Sequence, residues 1–159
     1  MEGLNVLSLF DGMSCGQLAL KKAGVPVKNY FASEIDKYAI KVAKENFPNT
    51  KHLGDVRGVL KFWRDFKGGS PNKFPKIDLL LGGSPCQGFS YAGKQLNFDD
   101  PRSKLFFNFV EILNVLKPKY FLLENVKMKK ESQDIITKYL GVEPVEINSS
   151  LVSAQHRKR

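Results

Sequence analysis

Short, almost wholly apolar runs alternate along this chain with stretches whose apolar residues recur every three or four positions, and glycine or proline separates most of them. The runs predict buried strands and the stretches predict amphipathic helices. The first ten residues, with Asn5-Val6-Leu7-Ser8-Leu9-Phe10 at their end, read as a strand. Asp11-Gly12-Met13-Ser14-Cys15-Gly16 follows as a glycine-containing turn, then a helix through Leu18, Ala19, Leu20 and Ala23 that Gly24 stops. Residues 27–34 predict a second strand and residues 36–47 a helix, with Tyr38, Ala39, Val42 and Ala43 near helical spacing and Pro48 beyond its end. Residues 51–53 form a short third strand with Gly54-Asp55-Val56 at its carboxyl end, and residues 59–66 a short helix. A loop over residues 67–76, rich in glycine and proline, leads to a strand at 77–81. The polar residues 91–102 predict another loop, suited to moving over a site. A helix over 103–116 places Leu105, Phe106, Phe109, Ile112, Leu113 and Leu116 at helical spacing before Pro118. A strand at 120–123, a helix over 133–140 stopped by Gly141, and a strand near 142–147 complete the pattern.

Strands alternating with helices in this way imply an α/β fold with a mainly parallel sheet and helices on both faces. A length of 159 residues with 42% hydrophobic content fits one domain, residues 1–159, with its own core and no internal repeat. Twenty-five Lys and Arg against sixteen Asp and Glu leave a net charge of +9, which favours a polyanionic partner such as nucleic acid over scattered solvated lysines only once a site supports it. No apolar segment approaches the roughly 20 residues of a membrane span, and the start lacks a basic, signal-like stretch, so no membrane partner is expected. With two cysteines, neither a disulfide framework nor a zinc cluster is indicated, no metal is expected, and a reducing cytoplasmic setting is the default.

The chemistry gathers at predicted strand ends, where ligands bind in open α/β sheets. Gly82-Gly83-Ser84-Pro85-Cys86-Gln87-Gly88-Phe89-Ser90 follows an apolar run and presents Cys86 among small and polar neighbours, against the buried position usual for a free thiol. A thiol or serine hydrolase fits badly: the nucleophile elbow is incomplete, and only His52 and His156 are available as bases. The turn around Gly12 and Gly16 precedes a helix and makes a candidate nucleotide site, without the full dinucleotide fingerprint. Glu34 ends the second strand, where an acid accepts hydrogen bonds from ribose hydroxyls, and Asp55 ends the third, placed to accept from an exocyclic amine. Singly each is a helix cap or turn residue; three such features on successive strand ends point to a ligand. Glu124 closes an apolar strand, where an acid is costly unless it faces a site, and is a candidate proton donor. Cys15 reads as a small residue in a tight turn. The final Gln155-His156-Arg157-Lys158-Arg159 is either a solvated basic tail or a motif ending at the last residue.

Taken together these residues resemble the cytosine-5 DNA methyltransferase family, which uses S-adenosylmethionine. Pro85-Cys86-Gln87, Glu124-Asn125-Val126 and Gln155-x-Arg157-x-Arg159 match its catalytic signatures in chain order, and Phe10-Asp11-Gly12 with Gly16, Glu34 and Asp55 match its cofactor motifs. The turn Phe10-Asp11-Gly12-Met13-Ser14-Cys15-Gly16 is one residue longer than in most bacterial members and is similar to that of the animal de novo DNA methyltransferases, as is the stretch from Leu151 to Arg157; phage and prophage enzymes share the pattern. A nuclear setting would follow for a eukaryotic source.

The resemblance implies a Rossmann-like S-adenosylmethionine-dependent methyltransferase fold in which Cys86 attacks carbon-6 of a cytosine flipped out of DNA, Glu124 engages ring nitrogen 3, Arg159 binds the ring carbonyl oxygen, and Arg157 assists. Pro85 and Gln87 flank the nucleophile, and the loop over 87–102 closes over the base. On the cofactor side it implies Glu34 at the ribose, Asp55 at the adenine amine, Ile35 and Val56 packing the adenine, Phe10 and Gly12 at the methionine end, Asp11 and Gly16 as further residues of the cofactor turn, and Leu105 at the border of the pocket. S-adenosylhomocysteine is the expected product. Complete members continue into a target-recognition region and a closing segment absent here, so the expectation is an incomplete C-terminus, with a missing C-terminal segment or a complementary subunit as partner, and doubtful activity alone. Transfer-RNA cytosine methylation and a non-catalytic regulatory or binding module of the same fold are the alternatives. Roles in restriction-modification, phage protection and epigenetic marking stay open.

Overall fold

In the computed structural model, residues 2–67, 74–84 and 101–159 are described. They divide into two compact units, Met1–Gly83 with Glu111–Leu123 and Ser84–Val110 with Glu124–Arg159.

The first unit holds a five-stranded, wholly parallel sheet in the order β3-β2-β1-β4-β5. Its strands are β1 (Leu4–Leu9), β2 (Val27–Ser33), β3 (Lys51–His52), β4 (Leu79–Gly82) and β5 (Tyr120–Leu123). Helices α1 (Cys15–Lys22), α2 (Lys37–Asn46) and α3 (Val59–Lys67) connect the first four. Because β1 is central it is buried on both faces, with Val6, Leu7 and Leu9 at 0% exposure, which is why it reads as a mostly apolar run instead of a strict alternation. Alternation divides the side chains between the faces. Val6, Tyr30, Ala32 and Leu79 form one cluster against which Leu20 of α1 packs. Phe31, between Tyr30 and Ala32, points the other way and meets the ring of Phe74 at 4.4 Å, which in turn meets Phe62 of α3 edge-on at 5.9 Å. Helices therefore cover both faces, as the sequence predicts.

The chain leaves β1 toward β2 on one side and enters β4 on the other, so the neighbours β1 and β4 mark the point where strand order reverses. Crevices outside the carboxyl ends of strands at such a reversal are where open α/β sheets bind ligands. Phe10, Asp11 and Gly12 follow β1, Glu34 follows β2, Asp55 follows β3, and Gly83 and Ser84 follow β4.

In the second unit, α4 (Pro101–Leu116) starts two residues earlier than the sequence predicts, since proline is at home in the first helical turn; its residues from Glu111 belong to the first unit. Residues 91–100 of the expected loop lie outside the described residues. Helix α5 (Lys130–Leu140) ends at Gly141, whose φ of 69° supplies the left-handed stop. The strand expected at 142–147 is not formed: Pro144 cannot donate to a ladder, and Val145 stays 78% exposed. Pairing is instead confined to an isolated antiparallel bridge of Asn148 with Lys158, flanked by mutual backbone hydrogen bonds of Ile147 and Arg159 at 2.8 Å each. The basic terminus is thus a paired segment and not a loose tail.

Candidate active site

The turn after β1 is built from backbone conformations that side chains resist. Phe10, Gly12 and Ser14 all have positive φ, at 56°, 57° and 63°, and such conformations in residues other than glycine persist only where the surroundings enforce them. Asp11 does the enforcing. Its Oδ1 accepts from the Tyr30 hydroxyl at 2.7 Å, its Oδ2 accepts from Ser14 Oγ, and its carbonyl accepts from Ser14 N at 3.1 Å. Burial, reinforced by the Asp11 charge, pushes the Tyr30 phenol far above its ordinary value, so the phenol remains a donor. Gly16, in the first turn of α1, has no room for a side chain: a Cβ would lie 2.9 Å from Leu81 Cδ1 and 3.3 Å from the Tyr30 hydroxyl. These contacts pull the start of α1 onto the sheet. The sequence singled out Asp11 and Gly16 but missed Tyr30 and Ser14, because a tyrosine inside a strand run reads simply as core.

Glu34 bridges β2 to this turn. Its Oε2 accepts from Gly12 N at 2.8 Å and its Oε1 from Ile35 N at 2.7 Å and Asp36 N at 2.9 Å. Three acceptor positions of roughly four are used, which leaves the carboxylate capacity for a ligand hydroxyl. Next to it Ile35 is 73% exposed and Met13, in the turn, 54%, two apolar side chains offered to solvent at the same strand ends. Asp55 caps a short 3-10 helix at Val56–Gly58, accepting from Arg57 N at 2.9 Å, and is also clasped by the Arg57 guanidinium. That pairing holds its carboxyl down to about 2. Val56 is buried, at 6% exposure. The groups here fit an adenosine: Glu34 keeps an acceptor position for a hydroxyl, Asp55 is an acid suited to an amine, and Ile35 offers apolar surface.

In the second unit, Glu124 and Arg159, thirty-five positions apart, meet. Arg159 Nε lies 2.6 Å from Glu124 Oε1, with the side chains 26% and 51% exposed respectively. The bridge of residues 147–149 with 157–159 positions Arg159: Ser149 N donates to the Arg157 carbonyl at 2.9 Å, and Asn148 Oδ1 accepts from Arg157 N at 3.2 Å. Lys158, pointing elsewhere, pairs with Glu146 at 2.9 Å, and Lys127 reaches the same acid at 3.3 Å. Arg157 is exposed. Beside Glu124, Asn125 Oδ1 accepts from Val126 N at 2.8 Å, while its Nδ2 is buried without a partner, as is Ser84 Oγ. Unpaired buried polar atoms cost stability and are uncommon in folded proteins; His52 and Thr137 Oγ1 are further cases here. Asn148 was missed from sequence, although Asn before two serines is a turn signal.

Leu105 is half-buried in α4. Pro85, Cys86 and Gln87 lie outside the described residues. Among the described residues no group of His, Cys, Asp and Glu is arranged to hold a metal ion, and no helix is long and apolar enough to cross a membrane.

A family model described as C-5 cytosine-specific DNA methylase matches residues 4–140. The chain is 43% identical over 129 residues to the orphan methyltransferase M.SPRI of Bacillus phage SPR, covering 80% of this chain and 27% of that protein. It is 46% identical over 121 residues to the type II methyltransferase M.NgoBI of Neisseria gonorrhoeae, covering 76% of this chain and 34% of that one. With M.HaeII of Haemophilus aegyptius, another type II methyltransferase, identity is 43% over 127 residues, 80% of this chain and 36% of the relative. The chain thus spans about a quarter to a third of the length of these curated relatives.

Proposed function

The chain belongs to the C-5 cytosine-specific DNA methylase family, and on that premise we propose that it carries the catalytic portion of an enzyme that methylates carbon-5 of cytosine in DNA. The observation that carries this reading is the pairing of Glu124 with Arg159. Nitrogen 3 and the carbonyl oxygen of cytosine sit on adjacent ring atoms, so a carboxyl and a guanidinium side by side match the edge on which charge changes during attack. A half-exposed Glu124 is open to such a ring.

Carbon-5 of cytosine is a weak nucleophile. Addition of the Cys86 thiolate to carbon-6 forms a carbon–sulfur bond and delivers the electron pair of the ring double bond to carbon-5, splitting one hard step into two easier ones. Glu124 stabilises the adduct at nitrogen 3, as hydrogen-bond partner or proton donor, while Arg159 takes up the charge developing on the carbonyl oxygen. Arg157 assists at the same edge. S-adenosylmethionine supplies, when bound, an electrophilic methyl group on a positive sulfur. Once carbon-5 is methylated, loss of its proton to a base restores the double bond and expels the thiolate, leaving 5-methylcytosine. Pro85 and Gln87 flank the nucleophile in sequence, and the base reaches Cys86 by flipping from the duplex, at a cost of about a few kcal/mol. The thiolate chemistry suits a reducing cytoplasm.

For the cofactor, Glu34 takes the ribose hydroxyls and Asp55 the adenine amine, with Ile35 and Val56 against the ring. Phe10, Asp11, Gly12 and Gly16 shape the methionine end, and Leu105 of α4 is the remaining cofactor candidate. DNA is favoured over RNA by the family model's own description, and a non-catalytic module is disfavoured by the presence of Cys86, Glu124 and Arg159 together. The test is 5-methylcytosine formation in duplex DNA, read by mass spectrometry. Glu124→Gln should lower the rate by about a hundredfold, the scale of general acid–base assistance, without loss of cofactor binding. An undiminished rate in that variant would overturn the reading.

A further inference from the structure

Asp55 differs from Glu34 in one respect that bears on the cofactor. Glu34 accepts from three backbone N–H groups and has capacity left. Asp55 is filled by a single neighbour: Oδ1 accepts from the backbone N–H and from Nε of Arg57, both at 2.9 Å, and Oδ2 accepts from Nε at 3.0 Å and, closer still, from Nη2. The one Nε–H is shared between the two oxygens, so three N–H groups of Arg57 span all four acceptor positions of the carboxylate, roughly its whole capacity. An amine arriving at Asp55 must therefore replace part of the guanidinium.

We propose that Arg57 sets how strongly and how selectively this strand end takes a 6-aminopurine, by holding the carboxylate of Asp55 until the exocyclic amine displaces its guanidinium. This rests on the reading of Asp55 as the adenine-binding acid. Displacement is feasible because the Arg57 side chain is 74% exposed and finds water as it withdraws, while its backbone N–H stays on Oδ1. Charge favours the guanidinium over a neutral amine, but solvent exposure reduces the net worth of such a pair to a small amount. The two competitors are thus closely matched, which makes Arg57 a tuning residue and not a block.

Selectivity follows from the same contact. A purine without the 6-amino group leaves Arg57 where it is and strands no acceptor, so the intact protein penalises it little. Without Arg57, the same ligand would cover an unpaired acid, and sites of that kind reject the ligand that lacks the partner.

Adenosine and purine riboside, identical but for the amine and both uncharged, separate these effects by NMR titration of the whole chain, of Arg57→Ala and of Asp55→Asn. Arg57→Ala should bind adenosine about two- to fivefold more tightly, the scale of one exposed ion pair, and should prefer it over purine riboside by more than the unaltered chain does. Adenosine affinity should rise in the unaltered chain between roughly 0.05 and 0.5 M salt, as the ion pair is screened, and stay flat in Arg57→Ala. Asp55→Asn should abolish the preference for adenosine. A full preference surviving in Asp55→Asn would overturn the assignment of Asp55 and the proposal with it. A preference lost in Asp55→Asn, alongside unchanged affinity and salt response in Arg57→Ala, would overturn the role of Arg57 alone.

Discussion

The carboxyl of Asp55 is held at about 2, against an ordinary 3.8, first by the side-chain hydrogen bond from Arg57 and then by its backbone N–H. A group whose pKa is lowered by folding contributes stability above its unfolded value and loses it as pH falls through its folded one. The Asp55–Arg57 contact is therefore complete above pH 3.8 and lost on descending through about 2. In a carbon-13 NMR titration the Asp55 carboxyl should show its midpoint at about 2, and Arg57→Ala should return it toward 3.8; a midpoint unmoved by the substitution would remove Arg57 as the cause. Because the pair is exposed, its effect on overall stability is small. The acids themselves were legible in the sequence, since Glu34, Asp55 and Glu124 each follow a predicted strand, and for Glu124 an acid closing an apolar run is costly unless it meets a partner or ligand. What holds them was not legible. Nothing in Gly54-Asp55-Val56-Arg57 announces that the arginine folds back on the acid two positions before it, and Tyr30 becomes the prop of Asp11 only once β2 lies beside β1.

Between elements, the close approach of α1 to the sheet depends on Gly16. In an exposed helix, alanine in place of glycine gains up to about 1 kcal/mol, but here the added Cβ would stand 2.9 Å from Leu81 Cδ1 and 3.3 Å from the Tyr30 hydroxyl. The leucine end can turn aside; the hydroxyl is tied to Asp11. Overpacking of 1–3 kcal/mol then outweighs the helical gain, and Gly16→Ala should lower stability by about 1 kcal/mol in urea unfolding. A stabilised variant would mean that α1 is not held against Leu81 and Tyr30 as described. The strand and helix periods were readable where neighbours on both sides complete the burial, as for β1 and β2. They misled at 142–147, where valine and isoleucine recur as in a strand but Pro144 interrupts and Val142, Val145 and Ile147 stay exposed. Conversely, the pairing of residues 147–149 with 157–159 came unannounced, since Gln155-His156-Arg157-Lys158-Arg159 carries the charge of a solvated tail. That pairing gives Arg159 a fixed backbone from which to reach Glu124.

For the molecule as a whole, the parallel sheet orders Phe10, Gly12, Glu34 and Asp55, proposed for the cofactor, along one edge of the first unit, and Glu124 and Arg159 come together within the second. The net charge of +9 suits a chain whose proposed substrate is a polyanion. Relatives roughly two to three times as long carry further sequence, so the central claim is best tested with this chain both alone and supplemented with the remaining part of one of them. The measurement is covalent trapping on duplex DNA in which the target base is 5-fluorocytosine, in the presence of S-adenosylmethionine. Fluorine at carbon-5 cannot leave as a proton does, so the expulsion of the thiolate is blocked and the protein should remain attached to the DNA through Cys86, in an adduct located by mass spectrometry and absent from Cys86→Ser. No adduct in either arm while cofactor and DNA still bind, or an adduct that survives Cys86→Ser, would contradict the account.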